Sequence, residues 1–75
     1  MATWDVKLFA YLRERHGSTV TVEAEPKAGA ILDALSQAGV NTTSCRLAVG
    51  NEFAKPETPV PPNSEIALIP PVSGG

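Results

Sequence analysis

The hydrophobic period of this chain changes twice. Trp4, Val6, Leu8 and Ala10 occupy every second position, the spacing of one buried strand face. From Ala28 the pattern shifts, and Ile31, Leu32, Leu35 and Ala38 recur at i, i+1, i+4 and i+7, the stripe of an amphipathic helix. In SEIALIP the alternation returns with Ile66 and Leu68, and the intervening Ala67 and Ile69 are apolar as well. A strand with two apolar faces belongs in the middle of a sheet. Strands before and after one helix, within 75 residues, leave one economical arrangement. It is a two-layer α+β fold, with one main helix packed on one face of a mixed four- to five-stranded sheet. The two most apolar strands, 4–11 and 65–70, are expected side by side and parallel at its centre.

The remaining segments fill in this frame. LRERHG is short, charged and closed by Gly17, and reads as one helical turn or a tight loop. STVTVEAE alternates Val20, Val22 and Ala24 with polar residues, a half-exposed strand forming a loose antiparallel hairpin with the first. Pro26 precedes the helix and Gly39 is expected at its C-terminal cap. Gly29 weakens that helix by up to about 1 kcal/mol relative to alanine. Lys27 at the N-cap forgoes about another 1 kcal/mol that Ser, Thr or Asp would supply. RLAVGNEFAK reads as two short strands around a Gly50-Asn51 turn. PETPVPPN holds four prolines in eight residues, which excludes a central strand or a helix and implies a surface loop or edge crossing.

Composition removes several classes of function. Net charge is -2 and no basic run is present, whereas nucleic-acid binders show a positive footprint. No window approaches the roughly 20 apolar residues needed to span a bilayer. MATWDVKLF lacks a basic segment followed by an apolar one, so no signal peptide is read and a cytoplasmic protein is expected. The single cysteine, Cys45, permits no internal disulfide, and with His16 far away in sequence it gives no metal cluster.

The chain closes IPPVSGG. Each proline fixes φ near -65° and favours an extended course. Val72 offers one apolar knob, while Ser73, Gly74 and Gly75 add almost no bulk. Six such residues span up to about 20 Å. Residues 1–75 thus read as one domain with 71–75 a flexible C-terminal tail, a thin probe on a stiff root with an α-carboxylate at its tip. A narrow pocket in another protein would admit it where a Cβ would clash. A carboxylate is a poor electrophile, so chemistry at Gly75 requires activation. ATP supplies this as an acyl-adenylate, from which AMP departs. A sulfur donor then yields a thiocarboxylate, or a lysine is acylated. A fray at the terminus is the plain alternative.

The chain resembles the small, sulfur-carrying subunit of molybdopterin synthase, a family of ubiquitin-like β-grasp proteins ending in Gly-Gly. VKLFAYLRERHG resembles its first strand and helical turn. PKAGAILDAL resembles its helix start, where a Pro-Thr pair usually stands. LAVGNEFAKPETPVPPNSEIALIPPVSGG resembles its closing strands, crossing loop and tail. The resemblance implies that Gly75 is adenylated by an activating enzyme of the ubiquitin E1 type, with ATP and Mg on that enzyme. A sulfurtransferase or cysteine desulfurase then converts it to a thiocarboxylate. The tail, Pro71 to Gly75, inserts into the large synthase subunit and donates sulfur to cyclic pyranopterin monophosphate, within a heterotetramer. The resemblance implies no cofactor bound directly and no catalysis by this chain alone. Sulfur carriage for thiamin thiazole or tRNA thiolation, and conjugation to target lysines, share the same first step. Two departures stand out: Lys27 at the helix cap, and Leu68-Ile69 where aromatic residues are common before the prolines.

Other residues carry two readings each. Ser73 is a hydrogen-bonding group in the partner channel or a small spacer. Val72 and Pro71 anchor the arm or merely cover the sheet's end. Phe9, opposite Trp4, Val6 and Leu8, is a candidate for the partner surface or for a satellite core under a loop. Leu68 is a second partner-surface candidate. His16 lacks a nucleophile and carboxylate around it and reads as a surface residue. Cys45 reads as a small core filler.

Overall fold

A computed structural model describes residues 1–71. Its elements run β1 (Ala2–Leu8), α1 (Ala10–His16), β2 (Thr19–Ala24), α2 (Ala28–Gln37), β3 (Arg46–Val49), β4 (Glu52–Ala54) and β5 (Ile66–Ile69). The sheet order is β2-β1-β5-β3-β4. β1 and β5 are parallel, with Val6 opposite Ile66 and Leu8 opposite Leu68, while the other three pairings are antiparallel. This is the β-grasp arrangement, and the apolar segment SEIALIP supplies its central strand.

Alternation decides the faces. Trp4, Val6 and Leu8 of β1, Leu47 of β3, and Ile66 and Leu68 of β5 point inward and are buried. Ala28, Ile31 and Leu35 of α2 close over them. The indole N–H of Trp4 donates to the Ala24 carbonyl at 3.0 Å, so this aromatic ring enters the core without an orphaned donor. Ala38, read as part of the helix stripe, is instead the exposed C-cap. Gly39 follows at φ 95°.

The first strand is shorter than the sequence suggests. Its alternation ends at Leu8; Phe9 becomes the N-cap of α1, and Ala10 turns the chain at φ 52°. An i, i+4 spacing puts Leu8 and Leu12 on one face in a strand and in a helix alike; the positive φ at Ala10 is what ends the strand, and the helical turn that follows brings Leu12 into the same core cluster.

The start of α2 carries the expected cap residue, and a distant loop makes up for its lack of a side-chain bond. Lys27 makes no side-chain cap bond. The proline loop serves instead: Ala28 N–H donates to the Thr58 carbonyl at 3.0 Å and Gly29 N–H to the Pro56 carbonyl at 2.8 Å. Two of the four orphan donors of the helix are thereby satisfied. Val60 N–H donates to the Pro26 carbonyl and the Val60 side chain is buried. A Cβ on Gly29 would sit 3.0 Å from the Pro56 oxygen, so this glycine permits a close approach of backbone to backbone.

Candidate functional site

The site begins where β5 leaves the sheet. Ile69, Pro70 and Pro71 form the root of the tail, and Pro71 is exposed. Val72, Ser73, Gly74 and Gly75 lie outside the described residues, as does the expectation of a flexible tail built on them. Because β5 is central, the root emerges between the end of β1 and the beginning of β3, with Arg46 opposite Ile69 in register.

The face of the sheet away from α2 surrounds that root. Lys7 and Ala67 are register partners across β1 and β5, Ala67 and Ala48 across β5 and β3, and Ala48 and Phe53 across β3 and β4. Cross-strand partners share a face. Two small residues therefore lie beside an exposed aromatic, and Phe53 is 61% exposed. Phe9, at 43%, stands on the other side. A cleft of about 300 Å³ lies between, bounded by Phe9, Ala48, Asn51, Phe53, Ala67 and Ile69. A second cleft of about 330 Å³ is walled by Arg46, Phe53, Ile69 and the two root prolines. Phe53 is the ridge between them. The Arg46 guanidinium lies 5.1 Å from the centre of its ring, a cation–π distance. Lys7, on the same face, pairs with Glu65 at 3.1 Å.

Phe9 falls on this face, as the sequence suggested. Leu68 does not. Its side chain is fully buried, because it shares parity with Ile66 and lies opposite Leu8 and Leu47 on the helix side. A side chain with no exposed surface offers nothing to a partner; on β5 the outer face is formed by its half-buried neighbours Ala67 and Ile69. Phe53 was not singled out from the sequence. The signal was available: a two-residue Gly50-Asn51 turn fixes the β3–β4 register, and that register sets Phe53 against Ala48 on the outer face.

His16 and Cys45 do not join the site. His16 ends α1. Cys45 is half-buried against the core with its thiol 3.7 Å from the Asn41 carbonyl. Burial pushes its pKa up, partly offset by a hydrogen bond from Tyr11, the opposite of what an activated thiolate requires. Among the described residues, no three His, Cys, Asp or Glu side chains gather to hold a metal, and no helix is long and apolar enough to cross a membrane. The described face combines an apolar floor, Arg46 over Phe53, the Lys7–Glu65 pair and the root of the arm.

A family model described as the ThiS family matches residues 6–75. Two crystal structures are similar over nearly the whole chain. SAMP1 from Haloferax volcanii is 31% identical with a TM-score of 0.79, covering 99% of this chain and 100% of that one. H. volcanii small archaeal modifier protein 1 is 31% identical with a TM-score of 0.72, covering 96% of this chain and 100% of that one. No curated protein matches.

Proposed function

The chain belongs to the ThiS family, ubiquitin-like β-grasp sulfur carriers, and from that membership we propose that Gly75 is the carrying residue. An E1-like enzyme binding ATP and Mg adenylates its carboxylate and releases pyrophosphate. A sulfurtransferase or cysteine desulfurase supplies the sulfur that displaces AMP, leaving a glycine thiocarboxylate on a side-chain-free tip. Pro71, Val72, Ser73 and Gly74 form the arm that carries this group into an acceptor enzyme. The observation that supports the reading most is the family match running through Gly75 on a fold whose central strand leads directly into the arm.

The acceptor is the finer question. Thiazole or tRNA sulfur donation agrees with the ThiS match. A second reading, conjugation to protein lysines, is favoured by similarity to a small archaeal modifier protein. Sulfur donation to cyclic pyranopterin monophosphate in a molybdopterin synthase large subunit rests on the PPVSGG resemblance. Intact-mass spectra of the protein from its native host separate these fates. Exchange of one oxygen for sulfur at the C-terminal peptide is the expected result for a carrier. Higher-mass adducts on lysines, with no thiocarboxylate, would replace sulfur carriage by modification. If neither is found, the carrier proposal fails.

A further inference from the structure

We propose that Arg46, held over Phe53 at the root of the tail, is an anchor for a carboxylate side chain presented on an apolar surface of the enzyme that activates this chain. The inference deepens the carrier reading and rests on it, because it presumes that an activating enzyme must close over the tail's root.

Four observations lead to that partner chemistry. Arg46 lies on the outer face of β3, opposite Ile69, the last residue of β5 before the prolines. Its guanidinium lies 5.1 Å from the Phe53 ring centre, a modest attraction at an exposed site, which biases the cation toward the root of the tail before any partner arrives. A guanidinium carries five N–H donors, and among the described residues none is used: Arg46 makes no side-chain hydrogen bond, and the ion pair on this face belongs to Lys7 and Glu65. Finally, the chain carries eight acidic residues against six basic ones, yet the cleft that Arg46 shares with Phe53 and the root prolines, and the one beside Phe9, have no acidic residue in their lining; Glu52 lines a further cleft that Phe53 borders and Arg46 does not. An apolar surface with one unspent cation is complemented by an apolar surface with one acid. Guanidinium and carboxylate meet in a two-pronged geometry that also fixes orientation.

The test is carrier-dependent ATP–pyrophosphate exchange catalysed by the host's E1-like adenylating enzyme, with the full chain as substrate. Arg46→Glu is expected to raise KM about tenfold or more with kcat little changed, since a charge at the rim of a contact acts on association. Arg46→Lys, which keeps charge but not the fork, should fall between wild type and Arg46→Ala. Added salt should raise KM for the wild type more steeply than for Arg46→Ala. Thermal melting of each variant checks that the fold is retained; Phe53→Ala is a second variant, and should raise KM while preserving part of the salt response. A wild-type KM and salt response for Arg46→Glu would overturn the anchor. So would sedimentation showing that Arg46 and Phe53 instead join two copies of this chain. The wild-type control keeps the two failures apart: absence of exchange with unaltered carrier defeats the carrier reading itself.

Discussion

Leu68 and Ile69 are adjacent in sequence and opposite in consequence. Leu68 is fully buried between Leu8 and Leu47, whereas Ile69 lines both outer clefts. Leu68→Ala is therefore expected to lower stability by about 2–5 kcal/mol, the range for truncating a core leucine. Ile69→Ala should cost less than half as much and should instead weaken association with the activating enzyme. Denaturant melts paired with a binding assay check this; equal stability losses for the two variants would show the face assignment to be wrong. Sequence alone could not separate them, because both are large and aliphatic and both faces of a central strand are apolar. Parity against Leu8 fixes the difference, and parity needs the register. Cys45 makes a second residue-level case. Burial raises its thiol pKa in the fold, so the unfolded chain ionises first. The resulting stability is complete below the unfolded thiol's pKa and is lost as pH rises through the folded value. Cys45→Ala should remove that alkaline slope, as read by melting across pH 7 to roughly pH 10. An unchanged slope would mean that another group is responsible.

At the scale of elements, α2 depends on a segment far from it in sequence. Its missing side-chain cap and its glycine look like two local weaknesses when read in isolation. Together they are the condition for a backbone clasp, in which Pro56 and Thr58 accept the first helical N–H groups. Gly29→Ala gains helix propensity of at most about 1 kcal/mol. It also forces a Cβ to 3.0 Å from the Pro56 oxygen and 3.3 Å from the Pro56 side chain. The prolines and the Val60–Pro26 bond leave that loop little freedom to retreat, and overpacking of this kind costs about 1–3 kcal/mol. The expected net result is a lower melting temperature, with faster amide exchange at positions 28 and 29; a higher melting temperature would show that the loop yields easily. The helix and its start were legible from the period change at Ala28, though its last turn ends before Ala38; β2, the Gly50-Asn51 hairpin and the central position of β5 were legible from their own alternation and turn residues. The boundary between β1 and α1 was not, because Ala10 and Leu12 continue the alternation of Trp4, Val6 and Leu8 straight through the turn at Ala10. The clasp was not legible either, since a contact between residues 29 and 56 leaves no local pattern.

At the scale of the whole molecule, the fold places its most protected pairing directly behind its proposed working end. β1 and β5 form the parallel centre of the sheet, with neighbours on both sides, and β5 runs straight into Pro70 and Pro71. Ile69, the last residue before the prolines, is held in the ladder with β3, so the scaffold gives the arm a fixed origin, and the number of residues beyond it sets how far it can extend. Reach is then the quantity to perturb. Deleting Gly75 leaves the described core and its hydrogen bonds untouched, and the variant should melt like the wild type. It withdraws the reacting carbon by one residue, about 3.5 Å, when a misplacement of 1 Å can already cost about 100-fold in rate. Adenylation and thiocarboxylate formation should both fall below detection by mass spectrometry, with the wild type as control. Adding one alanine after Gly75 should be equally damaging, since it moves the carboxylate outward and introduces a Cβ into a channel shaped for glycine. Gly74→Ala keeps the length and tests width alone, so it should impair activation without altering the melt. A Gly75-deleted chain that still gains sulfur at the normal rate would mean that the reach of the arm does not govern the chemistry, and Gly75 would lose its assigned role.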